Sequence, residues 1–189
     1  MKIIEDIIPK SDQDNIEKIL LGNTFPLFLN SKTVNIDHKT GFQDCRTRDG
    51  IMFNHYFIRN GELVSPQWWK IIEPIAILLV KKFNVPAKIT SCKLNTSFPN
   101  INFTHNNYYP PHFDTPDNAI VAIYYVNDAD GDTIIFNNQI RNDIYSIENT
   151  ISPKKGRVLL FNSDQLHSNY PPQIASYRCV VNFNFLLEK

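Results

Sequence analysis

The sequence predicts a mainly β protein of the α+β class, in which a jelly-roll core (a double-stranded β-helix) carries N-terminal helices packed on one sheet. The hydrophobic period changes near residue 86 from helical spacing to strand alternation. Several short apolar segments separated by turn residues follow that point. The 189 residues are 42% hydrophobic, so we expect a single domain, with residues 1–86 as helical support and rim and residues 87–189 as the core.

Two N-terminal segments have helical periodicity. The first extends from Ser11 to Leu21 and the second from Ser65 to Phe83. In the second segment Ser65 suits the N-cap and Pro66 suits the first helical position. Pro74 lacks a backbone N–H, so we expect it to kink this helix or split it in two.

Five later segments are predicted to be strands, because β-branched and aromatic residues are frequent in them and turn residues bound them. Asp130-Gly131 predicts a tight turn between the second and the third. A further turn is predicted at 152–156, next to the fourth. The five strands are Ala87–Ser97, Ala119–Asn127, Thr133–Asn137, Arg157–Asn162 and Ser176–Leu187.

Charge and cysteine content restrict the class of protein. The 19 basic residues balance the 19 acidic ones, which argues against a broad nucleic-acid footprint. Cys45, Cys92 and Cys179 are an odd number without zinc-like spacing, and no signal peptide is recognisable, so we expect reduced thiols in a cytoplasmic protein. The longest apolar run, Ile71–Val80, is interrupted and too short to cross a bilayer.

The segment Tyr109-Pro-Pro-His-Phe-Asp114 carries the first candidate site. In extended chain, residues two apart share a face, so His112 and Asp114 point the same way. His167, which follows a buried strand, is the best third ligand. Two imidazoles and one carboxylate would form a facial triad that leaves three positions open on a metal, which suits iron(II). A His-x-Asp produced by chance, with His167 as an ordinary loop histidine, is the open alternative.

The last predicted strand carries the second candidate. Its residues alternate, so that Arg178 shares a face with Val180, Asn182 and Asn184, opposite an apolar face. A guanidinium on an inner face needs an anion, and its fork matches the carboxylate of a small acid. The open alternatives are that Arg178 lies at the solvent end of the strand or pairs with a distant aspartate.

Together these residues resemble the iron(II)- and 2-oxoglutarate-dependent dioxygenases, in particular the prolyl-4-hydroxylase-like branch, which includes small bacterial and phage-encoded members. The resemblance covers roughly residues 87–187. Besides the candidate residues it rests on three stretches in the family's order: Tyr109–Asp114, Ile123–Asp128 with the following Gly131–Phe136, and Pro153–Phe161.

The resemblance implies a role for each matching position. His112, Asp114 and His167 would hold the iron, and Arg178 would bind the distal carboxylate of 2-oxoglutarate. Tyr125 matches a tyrosine that hydrogen-bonds the same carboxylate, while Tyr109 and Asn95 are further candidates for contact with the cosubstrate.

Three positions depart from the family pattern. Val180 stands where many members have a serine, Asp132 stands where the hairpin often has a second glycine, and Arg178 stands where prolyl 4-hydroxylases usually have lysine. None of these departures affects the proposed iron ligands, but they weaken any transfer of substrate identity.

The implied activity is hydroxylation of an unactivated C–H of a peptidyl side chain or a small molecule. Oxygen would be consumed, succinate and CO₂ would be the co-products, and ascorbate would serve as reductant in vitro. The location would be the cytoplasm, or the host cytoplasm for a phage-encoded protein. A non-catalytic jelly-roll binding module and a cupin-type metal isomerase stay open as alternatives, as do the substrate and the oligomeric state.

Overall fold

Two antiparallel sheets face each other in this computed structural model, which describes residues 1–34, 36, 41–83, 86–114, 119–141 and 144–188. The helices are α1 (Lys10–Leu20) and α2 (Pro66–Phe83). The strands are β1 (Lys2–Ile4), β2 (Phe28–Asn30), β3 (Met52–Arg59), β4 (Glu62–Leu63), β5 (Ala87–Ser97), β6 (Ala119–Tyr125), β7 (Thr133–Arg141), β8 (Ile144–Ile151), β9 (Val158–Asn162), β10 (His167–Asn169) and β11 (Arg178–Leu187).

The strand order is that of a jelly roll, so the predicted fold class is confirmed. The major sheet has the order β1-β9-β6-β11-β5-β3-β2, with β4 paired to β3, and the minor sheet has the order β10-β7-β8. His112 extends the minor sheet, because it bridges His167 at the start of β10 on one side and Gly41 on the other.

Both helices pack on the outer face of the major sheet. Each buries one stripe, which includes Ile16 and Leu20 in α1 and Ile72 and Leu79 in α2. Against them lies the apolar face of β11, and the predicted alternation of this strand is therefore confirmed. The residues of that face are Cys179, Val181, Phe183 and Phe185.

A second apolar cluster fills the space between the two sheets. Tyr125 and Val180 come from the major sheet and Ile135 from the minor one. The cluster closes one part of the jelly roll, and polar side chains occupy the inner face beside it. Tyr124 lies in the helix-facing cluster, so Tyr124 and Tyr125 point to opposite faces of β6.

The helix predictions are close to the observed bounds, with one difference at Pro74. The helix α2 continues through Pro74 and is not split. Buried Ile72 and Ile75 lie on either side of it, and their packing on the sheet holds the helix together where one hydrogen bond is missing. The Ser65 hydroxyl, expected as a cap, lies 2.9 Å from Nε2 of His55.

The first 86 residues also contribute strands β1–β4, which the periodicity did not predict. The strand β3 pairs with β5, and β1 pairs with β9. The strands β8 and β10 were likewise not predicted. Within the described residues, neither helix is long and apolar enough to cross a membrane.

Candidate metal centre

His112, Asp114 and His167 bring one ligand atom each to within 4.8 Å of one another. Oδ1 of Asp114 lies 3.6 Å from Nε2 of His112 and 3.7 Å from Nε2 of His167. Two atoms bonded to one ion at about 2.1 Å lie at most about 4.2 Å apart, so one ion fits between the carboxylate and each imidazole. The predicted convergence of the three side chains is confirmed.

The backbone holds both histidines in place. His112 N donates to His167 O at 2.9 Å and His167 N donates to His112 O at 3.1 Å. The ring Nδ1 of His112 lies 3.0 Å from Pro110 O, and that of His167 lies 3.0 Å from Gln165 O. A carbonyl only accepts, so each Nδ1 carries a proton, and each Nε2 is the ring nitrogen turned toward Asp114.

Electrostatics keep the site in the form that a metal needs. Burial, with a further contribution from His167, lowers the pKa of His112 to about 3, so its imidazole is neutral. Burial alone would raise the pKa of Asp114, but His167, with further contributions that include Lys93 and the Asn182 amide, brings it below its usual value. A metal ion therefore meets one neutral imidazole and one carboxylate that need no deprotonation at neutral pH.

Two asparagines of β11 hold the carboxylate. Asn182 Nδ2 donates to Oδ2 of Asp114 at 2.8 Å. The Asn184 amide, oriented with its nitrogen toward the same oxygen, donates at 3.0 Å. Both bonds go to Oδ2, and Oδ1 faces the histidines.

A cavity of about 620 Å³, counted with its open mouth, borders His112 and His167. Four buried polar atoms on its walls have no hydrogen-bond partner within the described part of the chain. Buried polar groups are rarely left unpaired, so this cluster indicates a polar ligand. The four atoms are Asn95 Oδ1, Ser97 Oγ, Tyr109 OH and Arg178 Nε.

Arg178 lies deep in this cavity and is 5% exposed. Its Nη2 donates to Oγ1 of Thr133 at 2.8 Å, and this oxygen is 2.7 Å from the Tyr125 hydroxyl. The described residues offer it no carboxylate at ion-pair distance, and burial lowers its pKa. Arg178 is therefore neither at the solvent end of its strand nor paired with an aspartate of the described segments, which leaves its charge for a ligand.

The other predicted site residues differ in how they meet the cavity. Tyr109 and Asn95 line it, and burial raises the pKa of Tyr109 to about 12, so its phenol stays protonated. The Tyr125 hydroxyl contacts Thr133. His55 is buried between Pro26 O and Ser65, and its ring packs against Phe25 and Phe57 of the cluster that faces the helices.

Ser97 and Lys93 also line the cavity, and the sequence reasoning missed them. The signal was available, because both share the face of Asn95 in the strand alternation of β5. His105 is exposed and lines a different cavity.

Fold and site together define the class of the protein. It is a jelly roll whose two histidines and one carboxylate can hold a single metal ion with positions left open, the arrangement used by non-haem iron oxygenases. Residues 99–186, which contain all three candidate ligands and Arg178, match the family model of the 2OG-Fe(II) oxygenase superfamily. The matched segment is the part of the chain that carries the candidate site, and over it the chain is similar to that superfamily. The similarity favours an iron(II)- and 2-oxoglutarate-dependent dioxygenase over the non-catalytic and cupin-type alternatives.

Solved structures of several oxygenases share the fold. The viral collagen prolyl hydroxylase of Paramecium Bursaria Chlorella virus-1 is 13% identical, with a TM-score of 0.60 and coverage of 97% of this chain and 94% of that one. A Trichoplax adhaerens prolyl hydroxylase was solved with a peptide fragment of the hypoxia inducible factor oxygen degradation domain. It is 15% identical, with a TM-score of 0.62 and coverage of 97% of this chain and 82% of that one.

The epimerase SnoN from nogalamycin biosynthesis is similar to the same degree, with 11% identity, a TM-score of 0.62 and coverage of 97% and 77%. No curated protein matches the sequence significantly. Because identities this low show the fold alone, and the matching structures include both hydroxylases and an epimerase, the substrate has to be argued from the residues of the cavity.

Proposed function

We propose that His112, Asp114 and His167 hold iron(II) and that the enzyme hydroxylates an unactivated C–H bond of its substrate. The observation that carries the proposal is the position of the candidate ligands beside a buried, unpaired guanidinium in one cavity. When bound, iron(II) with 2-oxoglutarate supplies the oxidant that activates the C–H bond, and succinate and CO₂ are the co-products.

The polar wall of the cavity suits the distal carboxylate of 2-oxoglutarate. Arg178 offers Nε, which has no partner in the described residues, and Thr133 fixes the guanidinium through Nη2. Tyr125 orients Thr133 in turn, so we assign it a positioning role. Guanidinium and carboxylate form strong, directional pairs, and a buried charge of this kind has no other partner here.

Ser97 supplies a hydroxyl in place of the family serine that this chain lacks. Many members carry a serine two residues after the arginine, and this chain has Val180 there. Ser97 is the cross-strand partner of Arg178 in the β5–β11 ladder, and its Oγ is buried without a partner among the described residues. We assign to Ser97 the hydrogen bond to the carboxylate that the missing serine would make, with Asn95 and Tyr109 as further polar contacts.

Apolar side chains keep water from the reacting centre. The Phe161 ring lies 4.7 Å from the His167 ring, centroid to centroid, and Ile123 and Val180 line the cavity beside them. A dry wall strengthens the electrostatic contacts of the site and protects reactive species from side reactions.

We also infer that the described strands form a single domain, because β1–β4 pair into the major sheet with β5 and β9. A cytoplasmic location agrees with the three cysteines, which are all free thiols. A peptidyl side chain is the preferred substrate class, since a structure of the same fold was solved with a peptide fragment.

The direct test is succinate formation from 2-oxoglutarate by the purified protein with Fe(II), ascorbate and oxygen. Slow succinate release without a prime substrate, abolished by Asp114→Ala and retained in the His105→Ala control, is the expected result. A wild-type protein that binds no divalent metal in calorimetry and releases no succinate would overturn the proposed function.

A further inference from the structure

Lys93 is a half-buried cation on the wall of the active-site cavity. It lies on β5 opposite Asn182 of β11, the residue whose amide holds the carboxylate of Asp114. Lys93 is therefore on the metal side of the cavity.

Arg178 and Lys93 occupy opposite ends of the same wall. Arg178 pairs with Ser97 in the β5–β11 ladder and Lys93 pairs with Asn182. The two positions on β5 are four residues apart, which separates their Cα atoms by roughly 13 Å. The cavity thus contains two separate sites for negative charge, and 2-oxoglutarate accounts for the one at Arg178.

Charge balance leaves the second cation uncompensated. Iron(II) and Arg178 together carry as much positive charge as 2-oxoglutarate and Asp114 carry negative charge. Lys93 adds a further positive charge. In the described part of the chain no carboxylate lies at ion-pair distance from it, and the other residues that line the cavity include no acid. A substrate anion would balance it.

The inner face of the sheet continues from Lys93 onto β3. Tyr56 is its partner in the β5–β3 ladder, and the guanidinium of Arg59 lies 5.1 Å from the centroid of the Tyr56 ring. Tyr56 and Arg59 line a second groove, whose lining residues also include no acid. A peptide that crosses from the cavity to this groove would meet cations and aromatic surface along its path.

We propose that Lys93 binds a side-chain carboxylate of the substrate, and that the substrate is a peptide segment with an acidic residue next to the hydroxylated one. A single ammonium beside amide and hydroxyl groups matches a monovalent carboxylate, whereas phosphate is typically held by arginine forks or several backbone N–H groups. This inference rests on the proposed function and specifies its substrate class.

The test compares peptide binding with cosubstrate binding. The protein is loaded with Ni(II) and 2-oxoglutarate, and binding of three immobilised pools of short peptides is measured. The pools are otherwise uncharged and carry one central Glu, Gln or phosphoserine. Wild type is expected to bind the Glu pool at least about tenfold more tightly than the Gln pool.

Lys93→Gln is expected to abolish this preference and Lys93→Arg to retain most of it. In Arg178→Met the affinity for 2-oxoglutarate should fall more than the affinity for the Glu pool. Lys88→Gln is the matched control, because Lys88 lies on the same strand, is exposed and lies outside the residues that line the cavity.

Equal binding of the Glu and Gln pools by wild type, or a Glu preference that survives Lys93→Gln, overturns the inference. A preference for phosphoserine overturns the choice of carboxylate. A loss of 2-oxoglutarate affinity in Lys93→Gln as large as the loss for the Glu pool assigns Lys93 to the cosubstrate and also overturns it. Failure of the proposed function is seen separately, as absence of succinate formation by wild type.

Discussion

Asn182 donates its side-chain N–H to Oδ2 of Asp114 at 2.8 Å, and this bond links the last strand to the metal centre. Arg178 lies on the same face of β11, two alternations away. One strand therefore positions both the support of the carboxylate proposed to bind the metal and the guanidinium proposed to bind the cosubstrate. Its opposite face packs against the helices, so helix packing fixes the geometry of the site.

Replacing Asn182 by Ala should weaken metal binding without removing a ligand. Groups that orient a metal ligand typically change affinity by about 10–100-fold, and we expect that range for Co(II) or Ni(II) measured by calorimetry. Asn149→Ala, at an exposed position of β8, is the matched control and should leave the affinity unchanged. An affinity equal to wild type in Asn182→Ala would show that the bond to Asp114 has no orienting role.

Loss of His167 should abolish specific metal binding. His167 is 3% exposed, and His167→Ala removes one of three donor groups while the backbone bonds to His112 remain possible. We expect no stoichiometric Co(II) binding in calorimetry and an unchanged far-ultraviolet circular dichroism spectrum. His105→Ala, in an exposed loop, should bind Co(II) as wild type does. Tight stoichiometric binding by His167→Ala would rule out this histidine as a ligand.

Arg178→Met should raise the 2-oxoglutarate requirement and spare the metal. Removing one partner of a buried charge pair costs about 2–5 kcal/mol, so the dissociation constant of 2-oxoglutarate should rise at least about thirtyfold. Ser97→Ala should have a smaller effect of the same sign, about tenfold, because it removes one hydrogen bond to a charged group. Titration of 2-oxoglutarate into the Ni(II) protein measures both, and an unchanged constant in Arg178→Met would contradict the assignment.

Period-two alternation predicted most of the inner face of the sheet from sequence. It placed Arg178 and Asn182 together on β11 and His112 on one face with Asp114, because in extended chain the side-chain direction alternates from one residue to the next. The same rule on β5 would have extended the prediction from Asn95 to Ser97 and Lys93.

Side-chain conformation and long-range pairing were not available from sequence. Alternation placed Tyr125 on the inner face, but its rotamer decides that the hydroxyl meets Thr133. In β3 the buried Phe57 faces the helices and the half-buried Tyr56 precedes it, and the segment is a strand because β5 pairs with it. Partners of this kind depend on the whole fold and not on the local pattern.

Asp130 should stabilise the loop that leads into β11. Its carboxylate accepts the backbone N–H groups of Gln173 and Ile174 at 2.6 and 2.9 Å through Oδ2, and that of Ala175 at 2.8 Å through Oδ1. Burial opposes the effect, but these bonds hold the pKa of Asp130 below its usual value. We expect Asp130→Ala to lower the free energy of unfolding at pH 7 by about 1–2 kcal/mol.

The pH dependence of this effect has a definite sign. A carboxyl whose folded-state pKa is lowered contributes stability above its unfolded pKa of about 3.9, and this contribution is lost as the pH falls through the folded-state value. Urea unfolding at pH 7 and in an acidic series below pH 4 should therefore show the difference between wild type and Asp130→Ala shrinking with acid. A difference that is constant over this range would mean that the carboxylate charge is not involved.

Gly156→Ala should destabilise the contact between α1 and the turn before β9. Gly156 has φ +81°, and a Cβ there would lie 2.3–2.5 Å from the side-chain end of Gln13. Gln13 is 2% exposed and held by bonds to Ile8 O and Asp6 Oδ1, so it has little freedom to move away. Left-handed backbone costs about 1–2 kcal/mol for alanine, and displacing the buried amide adds about 1–3 kcal/mol.

Gly61→Ala separates the two contributions. Gly61 has a similar φ of +78°, and a Cβ there would meet only the flexible end of Lys88, at 3.4 Å. Urea unfolding should therefore give a loss of about 1–2 kcal/mol for Gly61→Ala and about 2–5 kcal/mol for Gly156→Ala. In a Gln13→Ala background the clash is gone, so Gly156→Ala should cost no more than Gly61→Ala. If both substitutions lower the free energy of unfolding equally in the wild-type background, Gln13 adapts freely and its packing against residue 156 contributes nothing to the cost.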